Sequence, residues 1–139
     1  MGSSDFDFSA WKVLLRVERD ESFVAFRLQC TMYELQHYCS SDGDDRFGRW
    51  LDEVRDTHAR ARIAARLIRL HDGNFGDCRS VGSGVWELKI DWGPGYRVYY
   101  AIDGKRVLLL LEGGDKRTQP QDIARAIERW GDWQQRSRQ

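Results

Sequence analysis

Between residues 47 and 71 the apolar side chains recur with the spacing of two amphipathic helices. In the first helix they stand at i, i+3, i+4 and i+7, on one face; they are Phe47, Trp50, Leu51 and Val54. Residues 40–45 are polar and can cap this helix with a hydroxyl or a carboxylate. The second helix is predicted over 57–71 and ends at the Gly73-Asn74 pair, because both residues tolerate a left-handed backbone.

Three later segments alternate apolar and polar residues as strands do, and glycine-rich turns separate them, as in an antiparallel meander. The segments are 85–92, 96–102 and 106–111. Residues 33–38 predict an earlier strand, and 121–130 predict a last helix that begins after Pro120. We therefore expect an α+β domain in which two N-terminal helices pack on an antiparallel twisted sheet, with a short C-terminal helix.

Residues 1–31 fit this organisation less clearly, because their apolar pattern is typical of either a short helix or two strands. Two interpretations stay open. The segment is either an upstream extension, read from a start codon assigned too early, or an extra hairpin or helix docked on the domain. We prefer the first interpretation, in which the domain itself covers 32–139 and opens at Met32.

The composition fits one globular domain of 139 residues, of which 41% are hydrophobic and 32% charged. The 22 Lys/Arg and 22 Asp/Glu residues cancel, so the net charge neither favours nor excludes a nucleic-acid partner. No apolar run reaches the roughly 20 residues that span a bilayer, and the N-terminus lacks a secretory pattern. We expect a cytoplasmic protein that does not bind membranes. The cysteines and histidines lack ligand-like spacing, so neither a metal nor a cofactor is expected.

Four motifs follow one another along the second half of the chain. They are Gly73-Asn74-Phe75-Gly76-Asp77, Gly84-Val85-Trp86-Glu87-Leu88-Lys89-Ile90, Gly93-Pro94-Gly95-Tyr96-Arg97-Val98-Tyr99-Tyr100, and Gly113-Gly114-Asp115-Lys116 with Gln119 and Asp122-Ile123. Over about residues 32–131 the chain thereby resembles the HigB-like branch of the RelE/ParE toxin superfamily. The resemblance implies a RelE-like fold and the toxin of a type II toxin–antitoxin system. Such toxins typically cleave mRNA on the ribosome, and a small helix-turn-helix antitoxin holds them inactive.

The predicted site lies where the strands around the Gly-Pro-Gly turn meet. Alternation places Arg97 and Tyr99 on one face, and Lys89 joins them if the strands are in register. Lys116 and Arg117 follow the next strand and can reach the same edge. The resemblance implies that the 2′-hydroxyl of the RNA attacks the adjacent phosphate, a reaction in which cations stabilise the growing charge without a metal.

Each of these residues has a predicted role. Arg97 suits the phosphate through its fork of donors, and Lys116 or Arg117 would neutralise the phosphorane or the leaving oxygen. Lys89 would act as the base only if neighbouring cations lowered its pKa. Tyr99 would stack on an extruded base. The predicted catalytic residues are therefore Arg97, Lys116 and Lys89, and Arg117 and Tyr99 are predicted to bind RNA.

Structural interpretations compete with these roles. Arg97 can pair with Glu87 or Asp91 across the strands, and Tyr99 can be a packing aromatic. Related patterns often carry arginine in place of Lys89, and some carry lysine in place of Glu87, so the general base stays open. The nuclease prediction requires the cationic groups to meet on one open patch. Ion pairs beneath other side chains would contradict it.

The second predicted helix offers another cationic surface. Arg62, Arg66 and Arg69 stand four and three residues apart and therefore share a face. This row is predicted either to contact ribosomal RNA or to form a solvated flank paired with nearby carboxylates such as Asp52 or Asp72.

Two other functions stay open. The absence of an obvious base favours a non-catalytic inhibitor that resembles the gyrase-poisoning ParE members of the superfamily. The other is a decayed toxin that only binds its antitoxin and modulates their shared operator.

Overall fold

The computed structural model of the chain describes residues 33–138, and the two interpretations of residues 1–31 lie outside them. The described part is a mixed α+β domain with a five-stranded sheet and three α-helices. The elements, in chain order, are β1 (Glu34–His37), α1 (Arg46–Glu53), α2 (Thr57–His71), β2 (Cys78–Gly82), β3 (Val85–Ile90), β4 (Tyr96–Asp103), β5 (Val107–Asp115) and α3 (Gln119–Ser137). A 3₁₀ turn, Lys116–Thr118, joins β5 to α3.

The sheet has the strand order β1-β5-β4-β3-β2, and its pairs are antiparallel except at one edge. There β1 runs parallel to β5, with Glu34 opposite Val107 and His37 opposite Leu110. The predicted α+β class is confirmed, but the predicted arrangement is wrong, because one strand pair is parallel and β1 precedes the two helices. Because β1 and β2 lie at opposite edges, α1 and α2 must carry the chain across one face of the sheet, and they stand after the first strand.

Helices cover both faces of the sheet. On one face α1 and α2 pack against β3, β4 and β5 through residues such as Phe47, Ile63, Leu67 and Leu88. On the other face α3 covers the sheet, with Trp130 packed among side chains that include Leu109. The C-terminal helix, predicted to be short, has 19 residues. This helix covers the face that the strand alternation had suggested would be open.

Arg60, a buried arginine, closes the C-terminal end of α1. Its guanidinium Nη1 donates to the backbone carbonyls of Leu51 at 3.0 Å and Val54 at 3.3 Å. Arg60 is 7% exposed, so these bonds lie away from water. The Leu51 carbonyl also accepts from the N–H of Val54 at 3.2 Å, and the guanidinium supplies the donor at the Val54 carbonyl.

We expect Arg60→Met to lower the free energy of unfolding by about 2 kcal/mol, because it removes the buried hydrogen bonds to the carbonyls of Leu51 and Val54 and leaves the Val54 carbonyl without this donor. Urea denaturation at neutral pH measures the change. Arg55→Met is the control, since Arg55 lies exposed between α1 and α2. Equal denaturation midpoints for the two variants would show that α1 does not depend on this cap.

Candidate functional site

The three predicted catalytic residues, Arg97, Lys116 and Lys89, lie around the β3–β4 turn. Lys89 stands directly opposite Arg97 in the antiparallel register. The Arg97 guanidinium folds back on the turn, where its Nη1 donates to the Gly95 carbonyl at 2.6 Å. A Cβ on Gly95 would lie 2.9 Å from that nitrogen and 3.8 Å from Cβ of Lys116. Lys116 and the Arg97 guanidinium therefore flank Gly95, whose positive φ of 81° suits glycine.

Arg97 does not lie on an open surface. The residue is 6% exposed, and its Nε stands 3.8 Å from Oε2 of Glu87. This is the cross-strand pairing that the sequence left as the competing interpretation. The expectation of an open Arg97 guanidinium is wrong, because the turn and α3 enclose this face of the sheet.

Tyr99 is fully buried beneath α3, so the predicted exposure of its ring is wrong as well. Its hydroxyl donates to Oε2 of Glu87 at 2.9 Å. Burial and the bond to a carboxylate hold the pKa of Tyr99 far above its usual range. A ring placed in this way packs the core and has no face available for an RNA base.

Glu87 is the hub of this buried network, and the sequence analysis considered it only as a possible partner of Arg97. It accepts hydrogen bonds at 2.8 Å from Arg79 Nε and from Gln119 Nε2, beside the bond from Tyr99. Burial acts to raise the pKa of Glu87, but these hydrogen bonds outweigh it and leave the pKa below its usual value. A carboxylate between the apolar residues Trp86 and Leu88 of a predicted strand was the available signal. A carboxylate at such a position requires hydrogen-bond or ion-pair partners when the chain folds.

Three cations remain accessible at this end of the sheet: Lys89, Lys116 and Arg117. Arg117 is held by Asp115, with Nη2 at 2.8 Å from the carboxylate. No ion pair involving Lys89 or Lys116 occurs within residues 33–138. The turn thus carries exposed positive charge above the buried Arg97 and Glu87 pair.

The arginine row of α2 is partly occupied by contacts within the fold. Arg66 Nη1 donates to the carbonyl of Lys89 at 2.9 Å and so ties α2 to β3. The Arg62 guanidinium lies 4.0 Å from the ring centroid of Trp92, a cation–π contact. Arg69 is exposed. The three residues therefore do not form one uncommitted face.

A cleft of about 370 Å³ opens between α1 and the N-terminal half of α3. It lies beside the C-terminal end of β5, because the pairing of β5 with β1 ends at Leu110 and leaves this end of β5 uncovered by β1. Gly113 and Gly114 form part of its wall, and both positions require glycine because there is no space for a Cβ atom. A Cβ on Gly113 would lie 2.1 Å from Cε3 of Trp50, and one on Gly114 would overlap the carboxylate of Asp122.

Two buried carboxyl groups line this cleft, Glu112 and Asp122. Glu112 binds Nη1 of Arg129 at 2.6 Å, and Asp122 accepts from the hydroxyl of Thr118 at 2.5 Å. Burial raises the pKa of both carboxyls, although the neighbouring arginines act in the opposite direction. The sequence analysis assigned neither of them to a site, because their proximity depends on how α3 packs on β5.

Residues 49–130 match the family model described as phage-derived protein Gp49-like (DUF891). The chain belongs to this family. A protein of Haemophilus influenzae, described as uncharacterized, is 49% identical over 80 residues, which cover 58% of this chain and 81% of the relative. The Gp49-like family is associated with the toxins of toxin–antitoxin systems, so an antitoxin is the partner that membership suggests.

The Gp49-like match includes the Gly-Pro-Gly turn, Lys116 and most of the cleft. Among residues 33–138, no group of three or more His, Cys, Asp or Glu side chains is placed to hold a metal ion. In the same range no helix is long and apolar enough to cross a membrane.

Proposed function

We propose that this chain is a RelE-like toxin of the HigB-like type that cleaves mRNA on the ribosome. A cognate helix-turn-helix antitoxin would neutralise it, and the cytoplasm is its proposed location. Membership of a family associated with toxins supports the first part. Arg97 does not meet the requirement for an open cationic patch, because it is paired with Glu87 beneath other side chains. The second part therefore rests on the three exposed cations that remain around one tight turn, Lys89, Lys116 and Arg117.

In this proposal Lys116 is the principal phosphate ligand, because it stands beside the glycine turn without an ion pair within residues 33–138. Arg117 and Lys89 bind the flanking phosphates. Arg97 is a positioning residue, since its guanidinium holds the Gly95 carbonyl beside Lys116. The 2′-oxygen attacks phosphorus, the bond from phosphorus to the 5′-oxygen breaks, and the proton moves from the first oxygen to the second. Lys116 stabilises the charge that grows on the phosphoryl oxygens.

Lys116→Ala is expected to lower the rate of mRNA cleavage on ribosomes on the order of 100-fold, because it removes one preorganised cation from the developing charge. Growth arrest in the absence of the antitoxin should disappear with it. Primer extension on mRNA from induced cells measures the cuts. Lys105→Ala is the control, since Lys105 is exposed in the turn between β4 and β5, outside the site. Equal cleavage by both variants would refute the role of Lys116.

Burial of Arg97 and Tyr99 favours a second candidate, a non-catalytic inhibitor of the gyrase-poisoning kind. Intact mRNA together with an SOS response after induction would select it. Tight binding of the antitoxin without growth arrest would instead indicate a decayed toxin. Expression of the chain from Met1 and from Met32, each with and without the neighbouring gene, would show whether residues 1–31 contribute to growth arrest.

A further inference from the structure

Two exposed arginines from different helices converge in the cleft between α1 and α3. Arg46 Nε lies 3.6 Å and Arg125 Nη1 3.9 Å from the same oxygen, Oε2 of Glu112. That carboxylate is 2% exposed, whereas the side chains of Arg46 and Arg125 are 37% and 42% exposed. A buried anion thus fixes two guanidinium groups that solvent and a ligand can reach. Guanidinium groups held in this way are well suited to phosphate, which they bind through paired hydrogen bonds.

Three of the four acidic residues that line the cleft are paired with arginine, and the fourth, Glu53, is exposed on α1. Glu112 binds Arg129 at 2.6 Å, and Asp115 binds Arg117 at 2.8 Å. Asp122 stands 3.7 Å from Nη1 of Arg125, and burial raises the pKa of this carboxyl. The three arginines that line the cleft, Arg46, Arg49 and Arg125, are accessible to solvent, whereas Glu112 and Asp122 are buried.

An aromatic wall stands beside these arginines. Trp50 is half-buried, lines the cleft, and packs its ring against Gly113. Arg49 and Glu53 of the same helix complete this wall. An aromatic ring next to a phosphate ligand is the arrangement by which proteins hold unpaired nucleotides. The volume, about 370 Å³, lies within the range of small-molecule sites.

We propose that this cleft binds one unpaired nucleotide of an RNA strand, with the phosphate between Arg46 and Arg125 and the base against Trp50. The inference rests on the proposed function for the identity of the strand. Asp115 lines the cleft and directly precedes Lys116, so the cleft adjoins the exposed cations of the turn. A strand bound across Lys116 would place a neighbouring nucleotide in the cleft.

The test is calorimetric titration of the whole chain with adenosine and guanosine 5′-monophosphates, ribose 5-phosphate and inorganic phosphate. The nucleotides should bind at least about fivefold more tightly than ribose 5-phosphate, because the base adds stacking. Arg46→Gln combined with Arg125→Gln should weaken nucleotide binding by about tenfold or more. Lys105→Gln, which removes an exposed cation elsewhere, should leave it unchanged.

Equal affinity for nucleotide and inorganic phosphate would overturn the inference, and so would equal affinity of the double variant and Lys105→Gln. Absence of binding at millimolar nucleotide would overturn it too. Arg125→Gln alone leaves Arg46 and Arg129 on Glu112 and serves if the double variant does not fold. Mononucleotide binding requires neither ribosome nor cleavage. Failure of the cleft and failure of the proposed nuclease are therefore separate results.

Discussion

Replacing Glu87 by alanine is expected to lower the free energy of unfolding by about 3–5 kcal/mol, which is the usual cost of removing one partner from a buried ion pair. Glu87 accepts hydrogen bonds from Arg79, Tyr99 and Gln119 and stands 3.8 Å from the buried Arg97. Its loss leaves the Arg97 guanidinium without a counter-charge and the Tyr99 hydroxyl without an acceptor. Denaturation by urea at pH 7 measures the change.

The pH dependence of this effect follows from the lowered pKa of Glu87. The carboxylate contributes its full stability above the pKa of the unfolded chain, about 4.5. This contribution is lost as the pH falls through the still lower pKa of the folded state. The difference in unfolding free energy between the parent chain and Glu87→Gln should therefore narrow below about pH 4.5. Glu128→Ala, at an exposed position of α3, is the control and should have little effect at any pH. If the difference in unfolding free energy between the parent chain and Glu87→Gln did not change with pH, the lowered pKa of Glu87 would be contradicted.

The first two helices were predicted well because amphipathic spacing reports directly on which side chains are buried, whereas the last helix is longer than the predicted 121–130. The second helix was predicted over 57–71 and is observed over Thr57–His71. The strand Cys78–Gly82 was missed, since it lies at the edge of the sheet and alternates little. The last strand was predicted to end at residue 111 and continues to Asp115. Glycine disfavours strands, yet here Gly113 and Gly114 allow Trp50 and Asp122 to pack on the backbone.

The candidate site was predicted only in part, because alternation assigns residues to faces without showing what covers each face. It correctly placed Arg97 and Tyr99 on the side opposite Val98 and Tyr100. That side lies beneath α3, and the continuous apolar run Val107–Leu111 was a signal for burial on both faces. The cleft could not be predicted, since it combines residues of α1 and α3 that meet only in the folded chain.

The second large effect is expected at Gly113, where alanine should lower the free energy of unfolding by about 3 kcal/mol. The added Cβ would lie 2.1 Å from Cε3 and 2.3 Å from Cδ2 of Trp50, closer than any van der Waals contact. The indole cannot simply rotate away, because it is also packed against Phe47 and Tyr96, with ring centroids 5.6 and 6.3 Å apart. Either the strand or the ring must move.

Two comparisons isolate this clash. Gly131→Ala places the same methyl group in α3 with nothing within 4 Å, and should raise the free energy of unfolding by up to about 1 kcal/mol because alanine favours helix. In a Trp50→Ala background, Gly113→Ala should cost far less than in the parent chain, since the ring it meets is gone. An equal cost in both backgrounds would show that the strain lies in the backbone of β5. If the clash is real, the displaced indole also removes the aromatic wall, and nucleotide binding in the cleft should weaken together with stability.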